Sequence, residues 1–198
     1  MATEAVSAPT FYYDFNSPYA YLAAHRVDGL LGPGVRWQPI AFAFLLRAKD
    51  RTPWSFTDAR PAGMRECEDR AVRYGLPELT WPPGWPVESY TLSSLRAAIV
   101  AEEHGRLREF SLAAFAENFV HGTGIREPAA LERATTVAGL DPAAIREGIE
   151  RAEIKDRLRE ATDAALAEGV VGVPTVLVDG EAFWGDDRLQ AAAQRLAA

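Results

Sequence analysis

The sequence predicts an α/β fold that begins βαβ, ends ββα and carries a long helical stretch between. Three observations predict it. Thr10-Phe11-Tyr12-Tyr13 is an apolar, aromatic run suited to a buried strand, and it leads directly into Asn16-Ser17-Pro18. Ser is a favoured N-cap and Pro sits well at the first helical position, so strand passes into helix with a hydroxyl at the junction. Near the other end, Gly172-Val173-Pro174-Thr175-Val176-Leu177-Val178 places an X-Pro bond at the mouth of a second apolar strand. Between the two, residues 47–168 read as mostly helical stretches separated by loops, with no convincing strand from Leu107 to Ala167.

In chain order, Met1 to Pro9 is small and polar and reads as a frayed lead-in. A helix is predicted over Tyr19 to Leu31, closed by the Gly32-Pro33-Gly34 turn. Val35 to Ile40 reads as a second strand, parallel to the first because a helix joins them. A polar loop, Arg47 to Thr57, precedes helices over Arg60 to Tyr74 and Ser89 to His104. The prolines of Leu76 to Pro86 exclude regular helix there. Trp81 and Trp85 on that loop either wall a ligand pocket or pack the loop down. Leu107 to Ala167 gives about four short helices, one opened by the cap-and-first-turn pair Asp141-Pro142.

A strand–turn–helix facing an X-Pro strand is the outline of a thioredoxin-like fold, here with a large all-helical insertion. Residues 1–46 and 169–198 form the discontinuous thioredoxin-like part, and 47–168 the insertion. Val173-Pro174 is expected to be cis, turning the Val173 backbone toward Ser17.

Composition bounds the chemistry. A chain of 198 residues, 48% hydrophobic and 25% charged, suffices for one well-buried domain. A net charge of −7 without a Lys/Arg run disfavours nucleic acid and anionic membranes as partners. No secretory signal pattern is present, so a cytoplasmic location is the default expectation. His25, His104 and His121 lack metal-ligand spacing, and no metal is expected. Cys67 is the one cysteine, which excludes an internal disulfide. Its acidic and basic neighbours pull its reactivity in opposite directions.

Where redox thioredoxin-like proteins carry Cys-x-x-Cys, this chain has Ser17-Pro18-Tyr19-Ala20. Dithiol–disulfide exchange is excluded at this site, and any thiol must come from a ligand. Ser17 reads either as a helix cap alone or as a hydroxyl beside that thiol. Asp186 and Asp187 read either as caps of the last helix or as a grip for an ammonium group.

Asp14-Phe15-x-Ser17-Pro18-Tyr19-x-Tyr21-Leu22, Gly172-Val173-Pro174-Thr175 and Phe183-Trp184-Gly185-Asp186-Asp187-Arg188-Leu189 together carry a resemblance. They resemble the DsbA-like branch containing 2-hydroxychromene-2-carboxylate isomerases and kappa-class glutathione transferases. The resemblance spans the chain from Thr10 onward and implies glutathione as cofactor, a small aromatic substrate and a homodimer. It puts Ser17 beside the glutathione sulfur, with Val173, Pro174, Trp184, Gly185, Asp186 and Asp187 holding the peptide. It further implies a substrate side near Lys49, Arg51, Thr52 and Trp85. Isomerases of this kind tend to have Gly-Asn and a nearby lysine there, whereas this chain has Lys49-Asp50-Arg51-Thr52. A kappa-like transferase or peroxidase is the neighbouring reading, and a non-redox binding module is the reading from another class.

Overall fold

A four-stranded mixed sheet, ordered β2-β1-β3-β4, carries the architecture of the computed structural model, which describes residues 8–198. β1 (Thr10–Tyr13) pairs in parallel with β2 (Arg36–Pro39) and antiparallel with β3 (Thr175–Val178). β4 (Glu181–Trp184) closes the edge against β3. This is the thioredoxin-like layout that the terminal motifs predict.

Every residue of β1 is buried because helices cover both faces of the sheet. Phe11 and Tyr13 point into the main core with Trp37, Phe15 and Phe115, while Tyr12 enters a second cluster with Ile40, Leu45 and Val173. Alternation across the strand produces that division.

The helices follow in order: α1 (Pro18–Ala24), α2 (Val27–Leu31), α3 (Phe42–Ala48), α4 (Arg60–Arg73), α5 (Leu92–Glu103) and α6 (Leu107–Phe119). Then come α7 (Pro128–Val137), α8 (Pro142–Gly148), α9 (Ala152–Ala167) and, after β4, α10 (Leu189–Leu196). Four helices thus occupy the stretch from Leu107 to Ala167, and Asp141 caps α8 by accepting the Ala143 N–H (2.9 Å).

Three expectations are modified. The single helix over Tyr19 to Leu31 is two, broken at His25 and Arg26. At the break the Arg26 guanidinium stacks on the Tyr74 ring (3.8 Å) and donates to the Asp186 carbonyl (3.1 Å). These are tertiary contacts that a helical repeat does not encode. The polar loop after the second strand contains the end of α3 and a 3₁₀ turn over Trp54–Phe56. The lead-in expectation falls mostly on Met1 to Ser7, outside the described residues; Pro9 is buried and its carbonyl accepts the Arg36 N–H (2.8 Å). Among the described residues, no helix is long and apolar enough to cross a membrane.

Candidate active site

The turn between β1 and α1 is held from several sides. Ser17 N–H donates to the Asp14 carbonyl (3.1 Å), and the flanking Phe15 is fully buried against Phe115. Asn118 donates to the Phe15 carbonyl (2.8 Å) and the Trp85 indole to the Asn16 carbonyl (3.3 Å). At the end of the turn, Ser17 Oγ accepts the Ala20 N–H (3.2 Å), as an N-cap should. The same hydroxyl donates to the Val173 carbonyl, a long contact at 3.4 Å. One lone pair therefore caps the helix while the proton is only loosely held. α1 spans seven residues, so the field at its N-terminus is modest and the hydroxyl matters more.

Val173-Pro174 is cis, and Trp85-Pro86 is a second cis bond that sequence reading did not anticipate. Around Val173 the backbone is stapled: Thr175 Oγ1 donates to the Gly172 carbonyl (2.7 Å) and Gly185 N–H to the Pro174 carbonyl (2.9 Å). Gly172 leaves room for the Trp184 indole, since a Cβ there would lie 2.6 Å from its nitrogen. Gly185 has φ 121°, a conformation that glycine adopts readily.

Ser17, Val173, Pro174, Trp184, Gly185, Asp186 and Asp187 all border one cavity of about 860 Å³. The two aspartates differ from one another. Neither side chain caps the 3₁₀ turn Asp186–Arg188 that precedes α10. Asp186 is wholly buried, accepting from Arg70 (2.5 Å) and Tyr74 Oη (3.1 Å), with Arg26 at 3.7 Å. Burial pushes its carboxyl up, against the pull of Arg70 and Tyr74. Its oxygens are engaged with the protein, which removes it as a ready ammonium grip. Asp187 is exposed on the cavity side and keeps that capacity.

The facing wall comes from the insertion. Arg47, Arg51, Thr52, Trp54 and Trp85 border the cavity. Lys49 does not: it forms the exposed C-cap of α3, with the arginines on either side of it in the wall. Helical geometry makes this correction, since residues two apart on a helix end do not share a face. Arg51 reaches across the mouth, donating to the Val171 carbonyl (3.0 Å) and lying over the Trp184 ring (4.7 Å). Trp85 is a wall residue, whereas Trp81 packs behind it (4.6 Å) and donates to Glu68 (2.6 Å). The exposed Phe44, Phe56, Val87, Tyr90 and Trp184 all rim the same cavity, so its mouth is apolar.

Sequence reading missed Asp14 as a structural centre. Its carboxylate is buried and accepts from Asn16 N–H (3.0 Å), Phe42 N–H (2.9 Å) and Thr91 Oγ1 (2.8 Å). It thus ties the Ser17 turn to α3 and to the entry of α5, all at the cavity wall. Burial raises its carboxyl, and the three donors pull it back. An Asp at a strand end is a turn signal and could have flagged its local bond; its distant partners had no signal. Cys67 does not border the cavity; it is fully buried beside Tyr19, its thiol pushed up to about 12 by burial.

With this geometry in hand, comparison with known proteins places the chain. The DSBA-like thioredoxin domain family matches residues 10–197. The chain is 29% identical over 185 residues to the 2-hydroxychromene-2-carboxylate isomerase of Sphingobium xenophagum, covering 90% of this chain and 92% of that protein. It is 30% identical over 189 residues to the enzyme of the same name from Pseudomonas putida, covering 90% and 89%. A solved 2-hydroxychromene-2-carboxylate isomerase superposes with a TM-score of 0.82 at 24% identity, covering 96% of each chain.

Proposed function

The chain belongs to the DSBA-like thioredoxin domain family and groups there with the 2-hydroxychromene-2-carboxylate isomerases, and from that premise we propose that it is a glutathione-dependent isomerase of this type. One observation carries the reading. Ser17 and the Val173 backbone share one wall of a large cavity whose other wall presents arginines and tryptophans.

The donor set fits glutathione. A tripeptide thiol with one ammonium and two carboxylates needs a hydrogen-bond donor for sulfur, a strand-like backbone partner, an acidic end and cations. Ser17, Val173 and Asp187 supply the first three of those in turn. When bound, glutathione would supply a thiolate nucleophile for reversible addition to a conjugated carbon, the chemistry that frees a carbon–carbon bond to rotate.

The protein's own groups do the rest. Ser17 Oγ turns its proton from the Val173 carbonyl to the sulfur and keeps the Ala20 N–H on its lone pair, so capping and activation are compatible. Arg51, with Arg47 beside it, holds the substrate carboxylate through charge-assisted bonds. Trp54 and Trp85 offer the aromatic substrate a flat apolar face.

Replacing Ser17 tests this. Ser17→Ala should keep the fold at a capping cost of about 1 kcal/mol. Glutathione binding should weaken only moderately. The pKa of bound thiol should rise by roughly one to two units, since a charge-assisted bond of about 1.5–3 kcal/mol favoured the thiolate. Turnover near neutral pH should fall with the thiolate fraction and partly recover on raising the pH. Thiolate absorbance titrated against pH measures this; an unchanged pKa would make Ser17 a helix cap and nothing more.

A further inference from the structure

α4 contains a glycine, Gly63, one turn inside its start, where glycine costs about 0.5–1 kcal/mol relative to alanine. Its backbone is ordinary helix, so no left-handed conformation calls for it. What calls for it is the Trp54 indole. A Cβ on Gly63 would lie 2.3, 2.4 and 2.9 Å from Trp54 Cε3, Cζ3 and Cδ2. The missing methyl group is the space in which the benzo ring sits.

The ring has little room to yield elsewhere. It meets Tyr19 edge-on (centroids 5.8 Å) and Trp85 at a tilt (5.6 Å). Trp85 is in turn backed by Trp81 and held by the Asn16 carbonyl. The Trp54 backbone is fixed as well, since its carbonyl accepts from both the N–H and the hydroxyl of Thr57 (3.0 and 2.8 Å). The open direction is the cavity that Trp54 borders.

We infer that Trp54 is a specificity-determining wall of the substrate half of this cavity, and that Gly63 is the positioning residue that keeps the indole out of the substrate's place. The inference rests on the isomerase reading above, and it names the ring that sets how wide an aromatic carboxylate the site accepts.

The test reads binding without turnover. The probes are 2-naphthoate and anthracene-2-carboxylate, titrated by calorimetry beside glutathione. Gly63→Ala should weaken 2-naphthoate about tenfold, the scale of forcing one methyl group into a packed site, and leave glutathione within about twofold. On a Trp54→Phe background, where the benzo ring is gone, the same Gly63→Ala change should cost less than about threefold. Trp54→Phe alone, which does not depend on Gly63→Ala folding, should raise the affinity ratio of anthracene-2-carboxylate over 2-naphthoate at least about threefold.

A Gly63→Ala protein with unchanged naphthoate affinity and a raised Tm would overturn the inference, since that is what alanine does in a helix with nothing above it. So would an equal loss on both backgrounds, or an unchanged ratio in Trp54→Phe. Native protein that binds no naphthoate overturns this inference together with the substrate reading. Native protein that binds both ligands but does not isomerise overturns the proposed reaction, while the Gly63–Trp54 coupling is still decided by the affinities.

Discussion

The two walls of the cavity are built on different principles. The thioredoxin-like wall is mostly main chain: the Ser17 junction, the cis Val173-Pro174 bond and the Trp184–Asp187 corner, stapled by short-range hydrogen bonds. The insertion wall is mostly side chain: Arg47, Arg51, Trp54 and Trp85, projected from the end of α3, a 3₁₀ turn and a proline-rich loop. A wall of backbone groups recognises what every ligand of one class shares and tolerates little change. A wall of side chains can be altered residue by residue without disturbing the sheet beneath. The comparison teaches where variation between substrates should be written in this fold.

The largest effect should come from the point where the two walls are bolted together. Asp186 joins the C-terminal corner to α2's entry through Arg26 and to α4 through Arg70 and Tyr74. Asp186→Ala removes the buried carboxylate that Arg70, Tyr74 and Arg26 share, leaving Arg70 paired with Glu66 alone, and should destabilise the fold by about 2–3 kcal/mol. Urea unfolding measures it. A loss under about 1 kcal/mol would show that the corner holds itself and that the walls are independent.

Next in size, Arg51→Ala should weaken 2-naphthoate by about tenfold, the worth of one charge-assisted contact, and leave the glutathione affinity within about threefold. Equal losses for both ligands would mean that Arg51, through Val171 and Trp184, belongs to the thioredoxin-like wall instead. Lys49→Ala should leave both affinities within about twofold, because its side chain lies outside the cavity. A Lys49 effect as large as that of Arg51 would show the loop rearranging on binding.

The smallest effect concerns Cys67. With its thiol pushed up to about 12, thiolate at pH 8 amounts to on the order of one molecule in ten thousand. Raising pH toward 12 increases that fraction, so alkylation by iodoacetamide should be very slow at pH 8 and accelerate only in strong base. Cys67→Ser should leave glutathione-dependent turnover nearly intact. Rapid native alkylation at pH 8 would place a reactive thiol beside Tyr19, at the edge of the cavity.

The thioredoxin-like wall was largely legible. Ser17, Val173, Pro174, Trp184, Gly185 and Asp187 meet at one cavity because each sits at the end of a strand or the start of a helix, and local signals mark such ends. Asp186 was found at the right place and assigned the wrong partners. A carboxylate two residues past a strand looks like a cap from sequence, and Arg26, Arg70 and Tyr74 lie 112 or more positions away along the chain. On the insertion wall Arg51, Thr52 and Trp85 were placed, while Arg47, Trp54 and Asp14's role were missed and Lys49 was misplaced.

What the amino-acid sequence determined by itself is therefore the order of elements, the loss of dithiol chemistry at Ser17 and Ala20, and the hydroxyl and the proline that mark the ends of their elements. Each follows from a residue's own backbone preference or chemistry, read within a few positions. The tertiary structure alone decided which charges are spent. Asp186 is consumed by Arg70 and Tyr74, while Arg51 reaches over the cavity mouth and Asp187 stays exposed at its wall. It also decided that Gly63 exists for Trp54. These outcomes depend on which distant surfaces are pressed together when the apolar faces are buried, and burial is a property of the packed chain rather than of any segment of it.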